Sequence, residues 1–143
     1  MFAITEQQKQ ALAEIAKAYD LKLIILHGSY ATGKEHEGSD LDIAVLERTP
    51  LEFRKFLELY AKMGEVLGNT FERELDLKSL HHADPLFLHH VAKDSILLYG
   101  NSTDYNDFQA HAFVRYMDSK DLRDLENVLV HKYQAHLNQT YAR

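Results

Sequence analysis

Two spacings of apolar residues alternate along the chain, and each is typical of a different element. Thr5 and Gln8 have the spacing of a capping box at the start of a helix. Apolar side chains then recur at helical intervals through residue 19. The next stretch, LKLIILHGS, is short, rich in Leu and Ile and closed by Gly-Ser, which predicts a buried strand over residues 22–27. The chain therefore opens with an amphipathic helix that leads into a strand.

Beyond this strand, short apolar runs continue to alternate with helical patterns. The polar segment 30–39 is long enough for one short helix and a turn. Thr49-Pro50 and Asp84-Pro85 each join an N-cap residue to a proline at the first helical position. The predicted elements are a strand over 41–47, a helix from Thr49-Pro50 to about 67, a strand over about 73–79, a helix from Asp84-Pro85 to about 92, a brief strand in SILLYG, and two helices from about 105 that separate near 118–120. The apolar face of the helix after Pro50 is predicted to comprise Leu51, Phe53, Phe56, Leu57, Tyr60 and Met63.

Composition narrows the class of protein. An apolar fraction of 45% over 143 residues suits one α+β domain over residues 1–143, with a core over about 1–100 and a C-terminal helical segment over about 104–143. The formal charge of −6 argues against binding to the phosphate backbone of nucleic acid independently of its sequence. The lack of cysteine fits a reducing cytoplasm, and no stretch approaches the roughly 20 apolar residues that span a bilayer. We therefore expect a cytoplasmic protein with no membrane association and no direct nucleic-acid partner.

A Gly-Ser pair and two aspartates flank the polar segment between the first two strands. Gly28 and Ser29 follow the first strand, and Asp40 and Asp42 stand at the start of the second. Because side chains alternate along a strand, the two carboxylates share a face and repel each other unless a cation compensates them. Mg²⁺ prefers oxygen ligands and is commonly held by one or two carboxylates plus substrate phosphates. The sequence therefore predicts a magnesium site that also holds a nucleotide.

The Gly-Ser pair predicts a phosphate site beside this metal. Gly28 has no Cβ to obstruct a phosphate, and a helix that begins after Ser29 would direct amide groups and the hydroxyl at the same anion. If a hydroxyl attacks the phosphate with metal assistance, we expect a third carboxylate, and we assign it to Asp76, which lies between two leucines of a predicted strand. Asp76 would bind metal or act as the base for the attacking oxygen. The alternative is a structural acid paired with Arg73 or Lys78.

The combination of Gly28-Ser29, Asp40-Leu41-Asp42 and a later Asp76 resembles the minimal nucleotidyltransferase (MNT) family of the DNA polymerase β-like superfamily. The similarity extends from the first helix to Gly100 and is greatest to MntA-type antitoxins, which are encoded beside HEPN-domain HepT toxins. It implies an α+β fold with a small mixed sheet flanked by helices, followed by C-terminal helices.

The resemblance also implies a reaction, the transfer of AMP from ATP. Carried over to this chain, Gly28 and Ser29 bind the triphosphate, Asp40 and Asp42 bind Mg²⁺, and Asp76 shares the metal and assists deprotonation of the acceptor hydroxyl. For MntA-like members the acceptor is a tyrosine of the partner toxin, which receives AMP and loses its RNase activity. The resemblance therefore implies a hetero-oligomer with a HepT-like toxin.

Two positions depart from the family pattern. Many relatives carry arginine directly after the Gly-Ser pair and again two residues later, where this chain has Tyr30 and Thr32. Fewer fixed cations then face the triphosphate, so we assign a cofactor-binding role to Lys34. The alternatives are that Lys34 is an ordinary solvated loop residue and that a residue of the partner chain supplies the cation.

Two other functions stay open at this stage. The chain could neutralise a toxin by binding alone, without turnover. It could also be a small-molecule nucleotidyltransferase of the antibiotic-modifying kind, although that class usually carries a longer C-terminal helical domain.

The remaining histidines, aromatic residues and basic residues have structural interpretations. His27 and the pairs at 81–82 and 89–90 lack partners at zinc spacing, which favours packing, loop or helix histidines. Arg123 and His131-Lys132-Tyr133 faintly resemble the Arg-x4–6-His-x-Tyr signature of HEPN RNases, but the gap is too long, so we assign them to a helix surface. Core packing or a toxin-facing surface are alternative predictions for the aromatic residues of the final third, Phe108, Phe113, Tyr116 and Tyr133.

Overall fold

A computed structural model describes residues 2–141. In chain order the elements are α1 (Glu6–Ala18), β1 (Leu21–His27), α2 (Ser29–Thr32), β2 (Leu41–Glu47), α3 (Phe53–Leu67), β3 (Leu75–Ser79), α4 (Pro85–Lys93), β4 (Ile96–Tyr99), α5 (Ser102–Asp118) and α6 (Lys120–Tyr141). The four strands form one mixed sheet in the order β3-β2-β1-β4. The predicted α+β fold, with a small mixed sheet flanked by helices, is confirmed.

The sheet topology aligns polar residues from three neighbouring strands. β1 pairs antiparallel with both β2 and β4, and the crossover through α3 returns β3 parallel to β2. In this register Asp42 lies opposite Asp76 on one side and opposite His27 on the other. The three residues therefore form a row across the sheet, at the end where β1 finishes.

Each face of the sheet carries its own apolar cluster. One face packs against α1 and α3, with a core that includes Ile24, Leu26, Ile43, Val45, Leu59 and Met63. The other face packs against α4 and α5, with a core that includes Leu23, Ile25, Ala44, Val91, Phe108 and Ala112. Because Asp42 and Asp76 alternate with residues of the first cluster, their side chains project from the face that carries α4 and α5.

Two helices begin as their sequence signals predict. Thr5 accepts a hydrogen bond from the Gln8 N–H and donates its own N–H to the Gln8 side chain, which completes the capping box of α1. Asp84 caps α4 by accepting from the Phe87 N–H, and Pro85 is the first helical residue. These caps satisfy amide groups that the first helical turn leaves without partners.

The start and the buried face of α3 differ from the prediction. The helix begins at Phe53 behind Glu52, three residues after the predicted Thr49-Pro50 cap, because Leu51 first packs against the core. The buried residues are Leu59, Met63 and Leu67, whereas Phe53 and Leu57, predicted on the apolar face, are 76% and 49% exposed. The helix is therefore rotated relative to the predicted face, and its first turn presents aromatic surface to solvent.

The C-terminal helices divide at Ser119, within the predicted break. Of the four aromatic residues with alternative assignments, Phe108 is buried in the core, Tyr116 is half-buried, and Phe113 and Tyr133 are exposed. Helix α6 has no buried residue along its 22 residues. Among residues 2–141, no helix combines the length and the apolar character needed to cross a bilayer.

Arg123 is more than a surface residue. Its guanidinium lies 3.8 Å from the Tyr116 ring centre and donates to the Tyr116 carbonyl at 2.6 Å, while Nε donates to the Ser119 hydroxyl at 3.1 Å. These contacts join the first turn of α6 to the last turn of α5. Arg123, assigned to the helix surface, is half-buried against Tyr116, whereas His131, Lys132 and Tyr133 are exposed as predicted.

Met63→Ala is expected to destabilise the protein by about 2–5 kcal/mol, because it empties a fully buried site between α3 and the sheet. Met117→Ala, at a site that is 48% exposed, serves as the matched control and should change stability by no more than about 0.5 kcal/mol. Urea unfolding of both variants measures the two effects. Equal effects would contradict the assigned core.

Candidate active site

Asp42 and Asp76 form the centre of the candidate active site. They are direct partners in the parallel pairing of β2 and β3, and both are half-buried. Asp40, exposed just before β2, is close enough to influence Asp42 electrostatically. The structure therefore brings the three predicted carboxylates to one end of the sheet, with two in contact and the third at the margin.

The carboxylates perturb one another strongly. Burial raises the pKa of Asp42 to about 6, and the charge and hydrogen bond of Asp76 and the charge of Asp40 act in the same direction. Lys78 opposes the increase. Two carboxylates at hydrogen-bond distance do not both ionise readily, so Asp42 keeps its proton to a higher pH than an isolated aspartate, and a bound cation would favour its release.

Gly28 allows the backbone to approach this pair. A Cβ at position 28 would lie 2.1 Å from the Asp42 Oδ2, and the glycine has a φ of +74° that disfavours other residues. From the sequence alone, this glycine is expected to admit a phosphate. In the structure, the group it admits is the Asp42 carboxylate.

Ser29 begins a single helical turn directly after Gly28. The N–H groups of Ala31 and Thr32 donate to the Gly28 carbonyl, and the Lys34 N–H donates to the Ser29 carbonyl. Over residues 2–141 the Ser29 hydroxyl has no hydrogen-bond partner, and the Lys34 side chain is exposed without an ion pair. The predicted short helix is present, and the Ser29 hydroxyl remains available to a ligand beside Asp42.

Lys78, a residue to which the sequence analysis gave no catalytic role, supplies the cation at the site. Its Nζ lies 3.6 Å from the Asp76 Oδ2 and 5.2 Å from the centre of the Phe87 ring. Arg73, the other suggested partner of Asp76, instead donates to the Leu67 carbonyl at 2.6 Å. Lys78 follows Asp76 by two positions on the same strand, so the two side chains share a face, and the alternative pairing of Asp76 with Lys78 is the ion pair that forms.

His27 and Phe87 form the apolar side of the site. Their rings meet edge to face at 5.7 Å, and burial lowers the pKa of His27 to about 4, so the imidazole is neutral at pH 7. Asp76 acts against this decrease and Lys78 adds to it. The carboxylates therefore meet a neutral ring on the β1 side, and their nearest fixed positive charge is Lys78.

The residues fit a divalent cation shared with a bound nucleotide. Within the described part of the chain, no three His, Asp or Glu side chains form a ready-made metal site. Asp42 and Asp76, with Asp40 at the margin, nevertheless offer hard oxygen donors whose repulsion a divalent cation would relieve. Mg²⁺ usually takes one or two carboxylates and completes its coordination with water and substrate phosphates, so a partial protein site of this kind suits it.

Two histidines of the predicted pairs, His81 and His89, have structural contacts. The His81 ring is hydrogen-bonded through Nε2 to the Glu47 carbonyl, and the His81 backbone N–H donates to the Ser79 hydroxyl at 3.2 Å. His89 stacks on Tyr116 at 3.8 Å with an interplanar angle of 13°. These contacts hold the β3–α4 loop and the α4–α5 pair together.

Comparison with known proteins places the site in the matched region. A family model described as "Polymerase beta, Nucleotidyltransferase" matches residues 10–104, which contain the Gly-Ser turn and the three carboxylates. "Protein adenylyltransferase MntA" of Aphanizomenon flos-aquae is 29% identical over 138 residues, covering 88% of this chain and 92% of that protein. The protein of the same name from Shewanella oneidensis is 34% identical over 84 residues, covering 59% and 58%.

A solved structure is similar over most of the chain. It is described as a crystal structure of "the toxin-antitoxin with AMP-PNP" and superposes with a TM-score of 0.69 at 26% identity. The superposition covers 85% of this chain and 98% of that one.

Asp42→Asn is expected to stabilise the metal-free protein at neutral pH. The pKa of Asp42 is raised from 3.8 to about 6 in the folded protein. An acid of this kind contributes stability at low pH, and this contribution is lost as the pH rises from the unfolded-state pKa through the folded-state pKa. Because Asp42 is half-exposed, solvent screens its charge, and we expect the substitution to raise the free energy of unfolding by about 1 kcal/mol, or the Tm by about 2–4 °C.

Thermal unfolding in EDTA at pH 4 and pH 7.5 tests this expectation. The Tm difference between Asp42→Asn and wild type should be more positive at pH 7.5 than at pH 4, whereas exposed Asp107→Asn should show no such change. A variant that is less stable than wild type at pH 7.5 would contradict the electrostatic assignment.

Proposed function

Because the chain belongs to the polymerase β nucleotidyltransferase family, we propose that it is an antitoxin that transfers AMP from ATP to a tyrosine hydroxyl of a HEPN-domain toxin. The observation that carries the proposal is the row of Asp42 and Asp76 on adjacent strands, with Gly28 and the unpartnered Ser29 hydroxyl beside it. The relatives named protein adenylyltransferase, and the toxin-antitoxin structure with AMP-PNP, support the same reaction and the same class of partner.

Each residue of the site has a chemical role in the proposed transfer. Asp40 and Asp42 would hold Mg²⁺, with Asp76 as a further ligand, and the ion would neutralise charge on the triphosphate. Ser29 would donate its hydroxyl to a phosphate oxygen, and exposed Lys34 would bind the outer phosphates. Asp76 would accept the tyrosine proton as the phenolic oxygen bonds to the α-phosphorus and the bond to pyrophosphate breaks.

The surface of the C-terminal helices favours a protein partner over a small-molecule substrate. Large apolar side chains on α5 and α6 remain 48–76% exposed, and they include Phe113, Met117, Leu122, Leu125, Leu129 and Tyr133. Extended apolar surface of this kind marks protein interaction sites. We therefore include a hetero-oligomer with the toxin in the proposal, with neutralisation by binding alone as the alternative mechanism.

Substitution of the carboxylates is expected to abolish transfer. Incubation of the purified HEPN toxin with ATP, Mg²⁺ and wild-type protein should add adenylate mass to the toxin, and Asp42→Asn or Asp76→Asn should reduce the rate at least about 100-fold. Asp107→Asn is the control, because Asp107 is exposed and lines a cavity that contains neither Asp42 nor Asp76. Intact-mass spectrometry measures the addition.

If the toxin gains no adenylate mass after incubation with the wild-type protein, the proposal is contradicted. Full neutralisation of the toxin in cells by Asp42→Asn would instead favour inhibition by binding alone.

Gly28→Ala is expected to impair transfer far more than Gly33→Ala. Gly28 has φ +74° and ψ −156°, a region open almost only to glycine, whereas Gly33 has φ +75° and ψ +17° in the left-handed helical region, so the alanine variant at position 28 also carries the larger backbone strain. Only a Cβ at position 28 meets Asp42, since a Cβ at position 33 finds no atom within 4 Å. A rate loss of at least about tenfold for Gly28→Ala relative to Gly33→Ala, at matched stability, is the expected result. Equal losses would contradict the claim that transfer depends on the close approach of Gly28 to Asp42.

A further inference from the structure

β3 is the outermost strand on its side of the sheet, and no strand within residues 2–141 covers its outer edge. Along a strand, the N–H and C=O groups of successive residues point to opposite edges. The Leu80 N–H donates to the Val45 carbonyl, so the even-numbered residues of β3 direct their backbone groups at β2. The intervening residues Leu77 and Ser79 therefore direct their N–H and C=O groups outward. Such a row of donors and acceptors is what an extended segment of another protein pairs with.

A groove of about 760 Å³ runs along this edge. Leu77 and Ser79 lie in it, Phe53 and Phe56 of α3 border one side, and Phe87 of α4 borders the other. Phe53 is 76% exposed although it lies at the start of an otherwise packed helix. The edge therefore offers apolar surface on both sides of its unpaired backbone groups.

Lys78 links the groove to the carboxylates, although neither Asp42 nor Asp76 lines it. Lys78 borders it, and the Lys78 Nζ is 3.6 Å from Asp76 and 5.2 Å from the Phe87 ring centre. Neighbouring strands lie about 4.8 Å apart, so a strand added to β3 would run one strand spacing from Asp76. A side chain beside Asp76 on the α4 face of that strand would project toward the Asp42–Asp76 pair.

We infer that the outer edge of β3 binds an extended segment of the acceptor protein and delivers its hydroxyl to Asp76. The inference rests on the proposed function and adds the mode of substrate recognition. Because side chains alternate along a strand, the residue that carries the hydroxyl faces Asp76, and its two neighbours face Phe53 and Phe56. The acceptor segment is therefore one in which apolar residues flank the modified residue on both sides, without proline at the paired positions.

Hydrogen exchange tests the binding mode independently of transfer. The full-length chain is mixed with the purified full-length HEPN toxin in EDTA without nucleotide. The Leu77 and Ser79 amides should gain protection of at least about tenfold, because each would donate to the added strand. Unchanged exchange at both amides overturns the inference. Protection that grows with the concentration of this chain alone would assign the edge to a second copy and also overturns it.

A pair of phenylalanine substitutions tests the contribution to catalysis. Phe53→Asp places a charge in the groove, whereas Phe71→Asp changes a fully exposed phenylalanine that does not line it. Phe53→Asp should raise KM for the toxin at least about tenfold and leave KM for ATP within about twofold, while Phe71→Asp changes neither. An unchanged KM for the toxin in Phe53→Asp contradicts the inference.

If wild type transfers no AMP, the proposed function fails, and the exchange measurement still decides whether the edge binds the toxin.

Discussion

The repulsion between Asp42 and Asp76 is the constraint on which the other features of the site depend. The parallel pairing of β2 and β3 holds the two carboxylates opposite each other, and burial together with Asp76 and Asp40 raises the pKa of Asp42 to about 6. An arrangement that disfavours its own ionised form is poorly explained as a stabilising feature of the fold. A divalent cation bound by the two carboxylates together with a phosphate chain would remove this repulsion, which is the use that the proposed transfer makes of it.

The remainder of the fold holds this pair in place. β1 lies between β2 and β4, and the well-packed clusters on both sheet faces leave little freedom for the strand register to change. Gly28 admits the Asp42 carboxylate where any Cβ would collide with it, and Lys78 balances Asp76 from the same strand. A slip of one residue between β2 and β3 would turn the carboxylates to opposite faces. The apolar packing of the sheet is thus directly linked to the chemistry at its end.

Local sequence signals predicted most of the elements, and non-local packing accounts for the differences. The caps at Thr5 and Asp84 satisfy their own helix ends, so they were recognisable from a few neighbouring residues. Thr49-Pro50 offered an equally good local cap, but Leu51 packs into the core first and the helix starts later. The helical pattern of α6 was also recognisable, whereas its complete exposure depends on what packs against it, which periodicity does not record.

The candidate site was predictable in part for the same reason. Strand alternation placed Asp40 and Asp42 on one face, and Asp76 stood out as an acid between two leucines. The pairing of Asp42 with Asp76 depends on a parallel register set across α3, and the contacts of Phe87 with His27 and Lys78 join elements that are far apart in the sequence. These long-range contacts leave no local signal. The roles assigned to Ser29, Lys34 and the carboxylates accordingly stay predictions.

The most direct test of the central claim is an NMR titration of the Asp42 carboxyl group, first in EDTA and then with Mg²⁺ and a non-hydrolysable ATP analogue. The metal-free protein should show a pKa of about 6 for Asp42, and the cation and nucleotide together should lower it below 4 as they replace the proton. A pKa near 3.8 in the metal-free protein, or one that Mg²⁺ and nucleotide do not change, would contradict the claim that this carboxylate pair is built to receive a cation.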